Sequence, residues 1–237
     1  MMVTNLLLAL VAAIVVTTLA AIAIRDQRRL ASQRRGLLDQ VSDILDNSRV
    51  HLARDGFPML DGNLSDGRRL RIELIADTLV CRRLPQLWLK LTLAEHSPQN
   101  RPSIGALARP TGAEFYSLVH DLPEWLPPPR TDTSMLMRGD GTATAAEVER
   151  SGSIFSALFR NPAVKEAVIT AKGVRLIRQV AEGDRGAHLL LRQVRFPLEA
   201  VSPDLLRTAI AEAQLLSEAL ADSNTKTRTT EPMEAGE

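Results

Sequence analysis

The chain has 237 residues, 45% hydrophobic and 24% charged, a balance that supports a globular core of good size. A net charge of only +1 and an aromatic content of 3% argue against a nucleic-acid binder, which leans on a basic excess and on aromatic faces for stacking. The one cysteine, Cys81, excludes an intramolecular disulfide and a thiol-rich metal site. Within Leu79-Val80-Cys81 it reads as a small buried hydrophobe, compatible with a reducing compartment. Arginine outnumbers lysine by 25 to 4, which points to a GC-rich, bacterial coding sequence.

Residues 1–24 read as an N-terminal transmembrane anchor. Leu6 to Ile24 are 19 residues without a charged side chain. At 1.5 Å per residue they span about 28 Å, close to the hydrocarbon thickness of a bilayer. Apolar residues cover every face, as lipid exposure requires. A helix buried in a protein core is one alternative. A cleaved export signal ending near Ala21-Ile22-Ala23 is another, but Met1 to Asn5 lack a basic residue and the apolar run is long for that role. Arg25, Arg28, Arg29, Arg34 and Arg35 follow the run, against Asp26 alone. The positive-inside rule then puts the N-terminus outside and the main domain in the cytoplasm, at the inner membrane. The same five arginines are the candidate contacts to anionic lipid.

Residues 25–55 read as a basic juxtamembrane segment and an amphipathic helix. Leu37, Leu38, Val41, Ile44, Leu45 and Leu52 fall on one helical stripe, and Leu37, Leu38, Val41, Ile44 and Leu45 form the candidate helix interface. Leu30, Leu37 and Ile44 are also seven apart, so the stripe either docks on its own domain or pairs with a second copy. Docking is the preferred reading, because the heptad pattern is short.

Gly56 is expected to open a first β-rich lobe, 56–126. Leu70, Ile72 and Leu74 alternate with Arg69, Arg71 and Glu73, and Leu87, Leu89, Leu91 and Leu93 alternate with Trp88, Lys90 and Thr92, the period of half-buried strands. A turn at Asp77, a strand through Cys81 and a break at Pro85 would complete a meander. One further strand and a helix over Ala113 to His120 follow. Residues 127–152, with Pro127-Pro128-Pro129 and later glycines, read as a low-order connector between two lobes. The second lobe, 153–222, is expected to hold a short helix stopped by Asn161-Pro162, then three strands turning at Ala171-Lys172-Gly173 and at Glu182 to Gly186. Its last helix has an explicit start: Ser202 as N-cap, Pro203 in the first turn and Asp204 at the positive dipole end. Leu205, Leu206, Ala209, Ile210, Ala213, Leu216 and Leu220 form its apolar face. The two strand-rich stretches share an order that reads either as a duplicated meander, the two lobes completing one sheet or two, or as chance. Residues 223–237 read as a disordered tail.

The fold class is thus α+β: a single transmembrane helix, then antiparallel β-meanders packed with amphipathic helices. No catalytic motif stands out. H-E-x-x-H, C-x-x-C, a P-loop and G-x-S-x-G are all missing, and Gly139-Asp140-Gly141 reads as a loop. His51, His96, His120 and His188 are isolated in sequence, so neither metal nor cofactor is expected. Arg138-Gly139-Asp140 and the sequon Asn63-Leu64-Ser65 read as chance. Arg175, Arg178, Arg185, Arg192 and Arg195 should project to opposite strand faces and be solvated or ion-paired. The expected function is a membrane-anchored interaction or regulatory module. Its partners would be the lipid bilayer and another membrane or cytoplasmic protein, or a second copy. The rivals are a membrane-anchored enzyme with a site built from scattered polar residues, and an exported or periplasmic domain if the N-terminal segment is cleaved or inverted.

Overall fold

The computed structural model describes residues 2–78, 83–191 and 193–220. The protein is α+β, with an N-terminal apolar helix and one nine-stranded antiparallel sheet. Helix α1 runs unbroken over Met2–Arg35 and passes directly into a 3-10 helix, Gly36–Ile44. The strands are β1 (Asp46–Leu52), β2 (Pro58–Asn63), β3 (Arg69–Asp77), β4 (Gln86–Ala94), β5 (Ile104–Ala108), β6 (Glu124–Leu126), β7 (Met135–Gly139), β8 (Val164–Thr170) and β9 (Gly173–Glu182). Among the described residues three further α-helices follow: α2 (Ala145–Leu158), α3 (Arg185–Leu191) and α4 (Pro203–Ala219).

The sheet order is β1-β2-β3-β4-β9-β8-β5-β7-β6. The late hairpin β8–β9 is therefore inserted between β4 and β5. Gln86 pairs with Glu182, and Ile104 with Ile169. Strand alternation then sorts side chains to two faces. Leu87, Leu89, Leu91 and Leu93 of β4, with Leu70, Ile72, Val174 and Leu176, join the main core under the 3-10 helix, α2 and α4. On the opposite face, Trp88 packs with Tyr116 and Ile177, and Leu107 with Val119 and Val168. The segment 109–122 lies over this second face, so the central strands are buried on both sides, not half-buried as their period implied.

Several sequence expectations change. The stripe from Leu37 to Leu52 is not one helix. Leu37, Leu38, Val41 and Leu45 are buried in the domain's own core with Ile44 packed against them. Beyond Leu45 the chain instead pairs with β2, Val50 opposite Leu60, which leaves Leu52 exposed on an edge strand. The β region thus opens at Asp46, and Gly56, at φ 81°, sits in the β1–β2 turn. Asp77 is not at a tight turn: it ends β3, fully buried, opposite Gln86 of β4. β3 and β4 pair directly with each other. Residues 79–82, with Cys81 and its expected strand, lie outside the described residues, as do Arg192 and the tail beyond Leu220.

The helix over Ala113 to His120 is reduced to a 3-10 turn, Val119–Asp121. The 127–152 connector carries β7 and most of α2. Thr144 and Glu147 start α2 with a reciprocal capping box: Glu147 N–H donates to Thr144 Oγ1, and Thr144 N–H to Glu147 Oε2 at 2.8 Å. The expected short helix before Asn161 is the second half of α2. The third strand of the late meander is helix α3, so the resemblance between the two stretches does not extend to three strands each. One continuous sheet crosses both halves of the chain. Ser202 caps α4 by accepting from Leu205 N, with Pro203 in the first turn.

Candidate functional site

A buried polar cluster lies beneath segment 109–122. A register shift in β8 between Val164 and Glu166 brings two consecutive charged residues, Lys165 and Glu166, inside. The Lys165 ammonium donates to the carbonyls of Ala108 (2.9 Å) and Arg109 (2.7 Å) and lies 2.8 Å from Glu114 Oε1. All three of its protons are thereby used. Glu114 also accepts from Thr111 N and Thr111 Oγ1, both at 2.8 Å. Arg109, in a left-handed backbone conformation at φ 48°, ties the strand ends together by donating to Pro162 O and Val164 O.

Two more ion pairs flank this one. Glu166 faces Arg175 across β8 and β9 at 3.2 Å, and Arg175 donates to Tyr116 O. Asp77 meets Arg83 at 2.9 Å. Tyr116 stacks at a tilt on Trp88, with ring centroids 5.8 Å apart. The Tyr116 hydroxyl, Trp88 Nε1 and Asp77 Oδ1 are buried without a hydrogen-bond partner.

The electrostatics follow from this layout. Burial pushes the Glu114 carboxyl up, but hydrogen bonds from Lys165 and Thr111 outweigh it and hold the group at about 2. For Lys165 the balance is the reverse: burial lowers the ammonium more than Glu114 raises it. The pair therefore favours its carboxylate end, and its net worth is less than the Glu114 shift alone. Burial also raises Glu166 against the pull of Arg175, and raises the Tyr116 phenol, reinforced by the Asp77 and Glu114 charges.

Chemically, this is a clamp. Each of the three buried carboxylates faces its own cation. His120 Nε2 lies 3.7 Å from Glu114 Oε2. His51 approaches Asp61 at 3.6 Å, and His96 shares a hydrogen bond with Asp66 O. Among the described residues no three His, Cys, Asp or Glu side chains gather as a metal site. The sequence signal for the clamp was the pair Lys165-Glu166 at the head of an apolar strand, and it was not singled out.

The other expected residues separate by role. Of the arginines after the apolar run, Arg25, Arg28, Arg29 and Arg35 are exposed. Arg34 is half-buried: it stacks over Phe57 at 5.3 Å and donates to Val194 O at 3.4 Å. Arg178 is buried on the helix face, 2.9 Å from Glu212 of α4, while Arg185 is exposed. Leu37, Leu38, Val41, Ile44 and Leu45 serve the core. A groove of about 540 Å³ opens between α2 and α4, lined by Ile154, Leu158, Leu215 and Leu216, with Leu215 65% exposed. Comparison of the chain with family models, with curated proteins and with solved structures finds no match.

Proposed function

We propose that this is a single-pass protein of the bacterial inner membrane that holds its α+β domain at the cytoplasmic face as an interaction or regulatory module. Helix α1 carries the reading. It is long and apolar enough to cross a membrane. Leu10, Ile14, Val16, Leu19 and Ile22 are each more than half exposed, on all sides of the helix. Thr17 and Thr18 bond their hydroxyls back to the carbonyls of Ala13 and Ile14, so no side-chain polar group is left unsatisfied. Such a helix, with nothing packed on its apolar half, calls for a lipid solvent. The exposed arginines that follow it favour the cytoplasmic side for the domain.

The junction supports a fixed tether. α1 enters the core at Leu37 without a linker, Gln33 donates to Leu198 O at 2.9 Å, and Arg34 grips Phe57 and Val194. A domain held this way meets membrane partners at raised effective concentration. The opposed charges of the clamp, each buried carboxylate facing a cation, support a structural role for that cluster.

Paired reporter fusions after Glu237 test the orientation. A fluorescent protein that matures only in the cytoplasm should glow, and a phosphatase that works only in the periplasm should stay silent. An active phosphatase at that junction would reverse the topology, and release of the body by alkaline carbonate without detergent would remove the anchor.

A further inference from the structure

We infer that the excursion from Asp184 to Arg195, which carries α3, is a second membrane contact seated in the headgroup layer of the leaflet from which α1 emerges. The inference rests on reading α1 as the membrane span.

The height of this excursion can be read from α1. Asp26 lies two residues beyond Ile24, the last residue of the apolar run, a rise of about 3 Å. Arg195 Nη2 is 4.0 Å from the Asp26 carboxylate. The guanidinium therefore sits within about 7 Å of the end of the apolar run, a distance close to the thickness of one headgroup layer. Gln193 and Val194 share a groove with the face of α1 that runs from Ile24 to Arg34. Five residues later, Leu198 O accepts from Gln33. From Arg195 beside Asp26 to Leu198 beside Gln33 the chain thus runs along α1 away from the apolar end, and α3 joins it at the end nearer that run.

The excursion that carries α3 is firmly built. Asp184 N donates to Arg195 O at 2.7 Å and closes the base. Asp184 Oδ1 accepts from Ala187 N at 2.6 Å, and Gln193 N donates to Ala187 O at 3.1 Å. Ala187 faces inward, while Leu189 is 60% exposed. Leu189 opens a run of three leucines in the sequence, and Arg185 is exposed one turn earlier. A lone exposed leucine is ordinary on a protein surface. A leucine between two arginines at headgroup depth has the chemistry of an interfacial anchor: an apolar side chain for the acyl boundary, guanidinium groups for anionic lipid.

Spin labels on the full chain in phosphatidylcholine–phosphatidylglycerol vesicles give the test. With Cys81→Ser as background, single labels are placed at Val16→Cys, Leu189→Cys and Leu215→Cys. The inference expects the Leu189 label to lose collisions with an aqueous nickel complex and gain collisions with oxygen, intermediate between the bilayer-buried Val16 label and the fully aqueous Leu215 label. A Leu189 label as accessible to nickel as the Leu215 label, with Val16 still shielded, would overturn this inference and leave the anchor standing. A Val16 label open to nickel would overturn both.

Discussion

Replacing Lys165 with methionine tests the clamp most directly. Lys165→Met keeps the length of the side chain but removes three hydrogen bonds and the cation that lies 2.8 Å from Glu114. The Glu114 carboxylate has no solvent exposure, yet it lies in the outer layer of the domain beneath segment 109–122 and not in its centre. Breaking a buried pair from one side costs about 3–5 kcal/mol, and this shallow position argues for the low end, about 3 kcal/mol. The depression of Glu114 from 4.5 to about 2 corresponds to a similar figure, about 3 kcal/mol, part of which Lys165 returns through its own burial. For a chain of this size that is a fall in Tm of about 6–12 °C. The pH dependence carries a sign. A depressed carboxylate stabilises the fold above its unfolded value, so the wild type should lose this contribution as pH falls from about 4.5 toward 2. Without Lys165 only the two hydrogen bonds from Thr111 oppose the burial of Glu114, so the acid-dependent loss should shrink. Thermal scans of the full chain in detergent, followed by the near-ultraviolet signal of Trp88 against Tyr116, read both effects. The double variant Glu114→Gln/Lys165→Met should recover most of the loss. A single variant within 1 kcal/mol of wild type, with an unchanged acid limb, would refute the clamp.

Two further outcomes follow from the packing. A fragment of residues 37–220 should unfold cooperatively and sediment as a monomer. The main core begins at Leu37, and α1 adds little to it beyond the contacts of Gln33 and Arg34; a fragment unfolded by circular dichroism and hydrogen exchange would put part of the core in α1 or in a partner. Gly173→Ala should destabilise by about 2 kcal/mol or more in chemical denaturation, because a Cβ there would sit 2.1 Å from Leu93 O across the β4–β9 pairing; a neutral result would mean that the hairpin is free to shift its register.

Local sequence determined much of this protein. The apolar run of α1 with its trailing arginines, the alternation in β3 and β4, the β8–β9 turn and the Ser202-Pro203 start of α4 each follow from spacing and residue type alone, because period and capping chemistry act within a few residues. The capping box Thr144-Ala145-Ala146-Glu147 was equally local, yet the glycines and prolines around it obscured it. Tertiary structure decided the rest. Leu45 to Leu52 fits a helical stripe on paper, and only the β2 edge, supplying hydrogen bonds from residues 58–63, makes it a strand. The insertion of β8–β9 beside β4 joins residues about ninety apart, a pairing no window of sequence can contain, and it joins the strands of both halves in one sheet. The clamp depends on the same event. Lys165, Glu166 and Arg175 look like solvated strand charges until segment 109–122 folds over them, because a charge's partner is set by which chain segments meet and not by its neighbours in sequence.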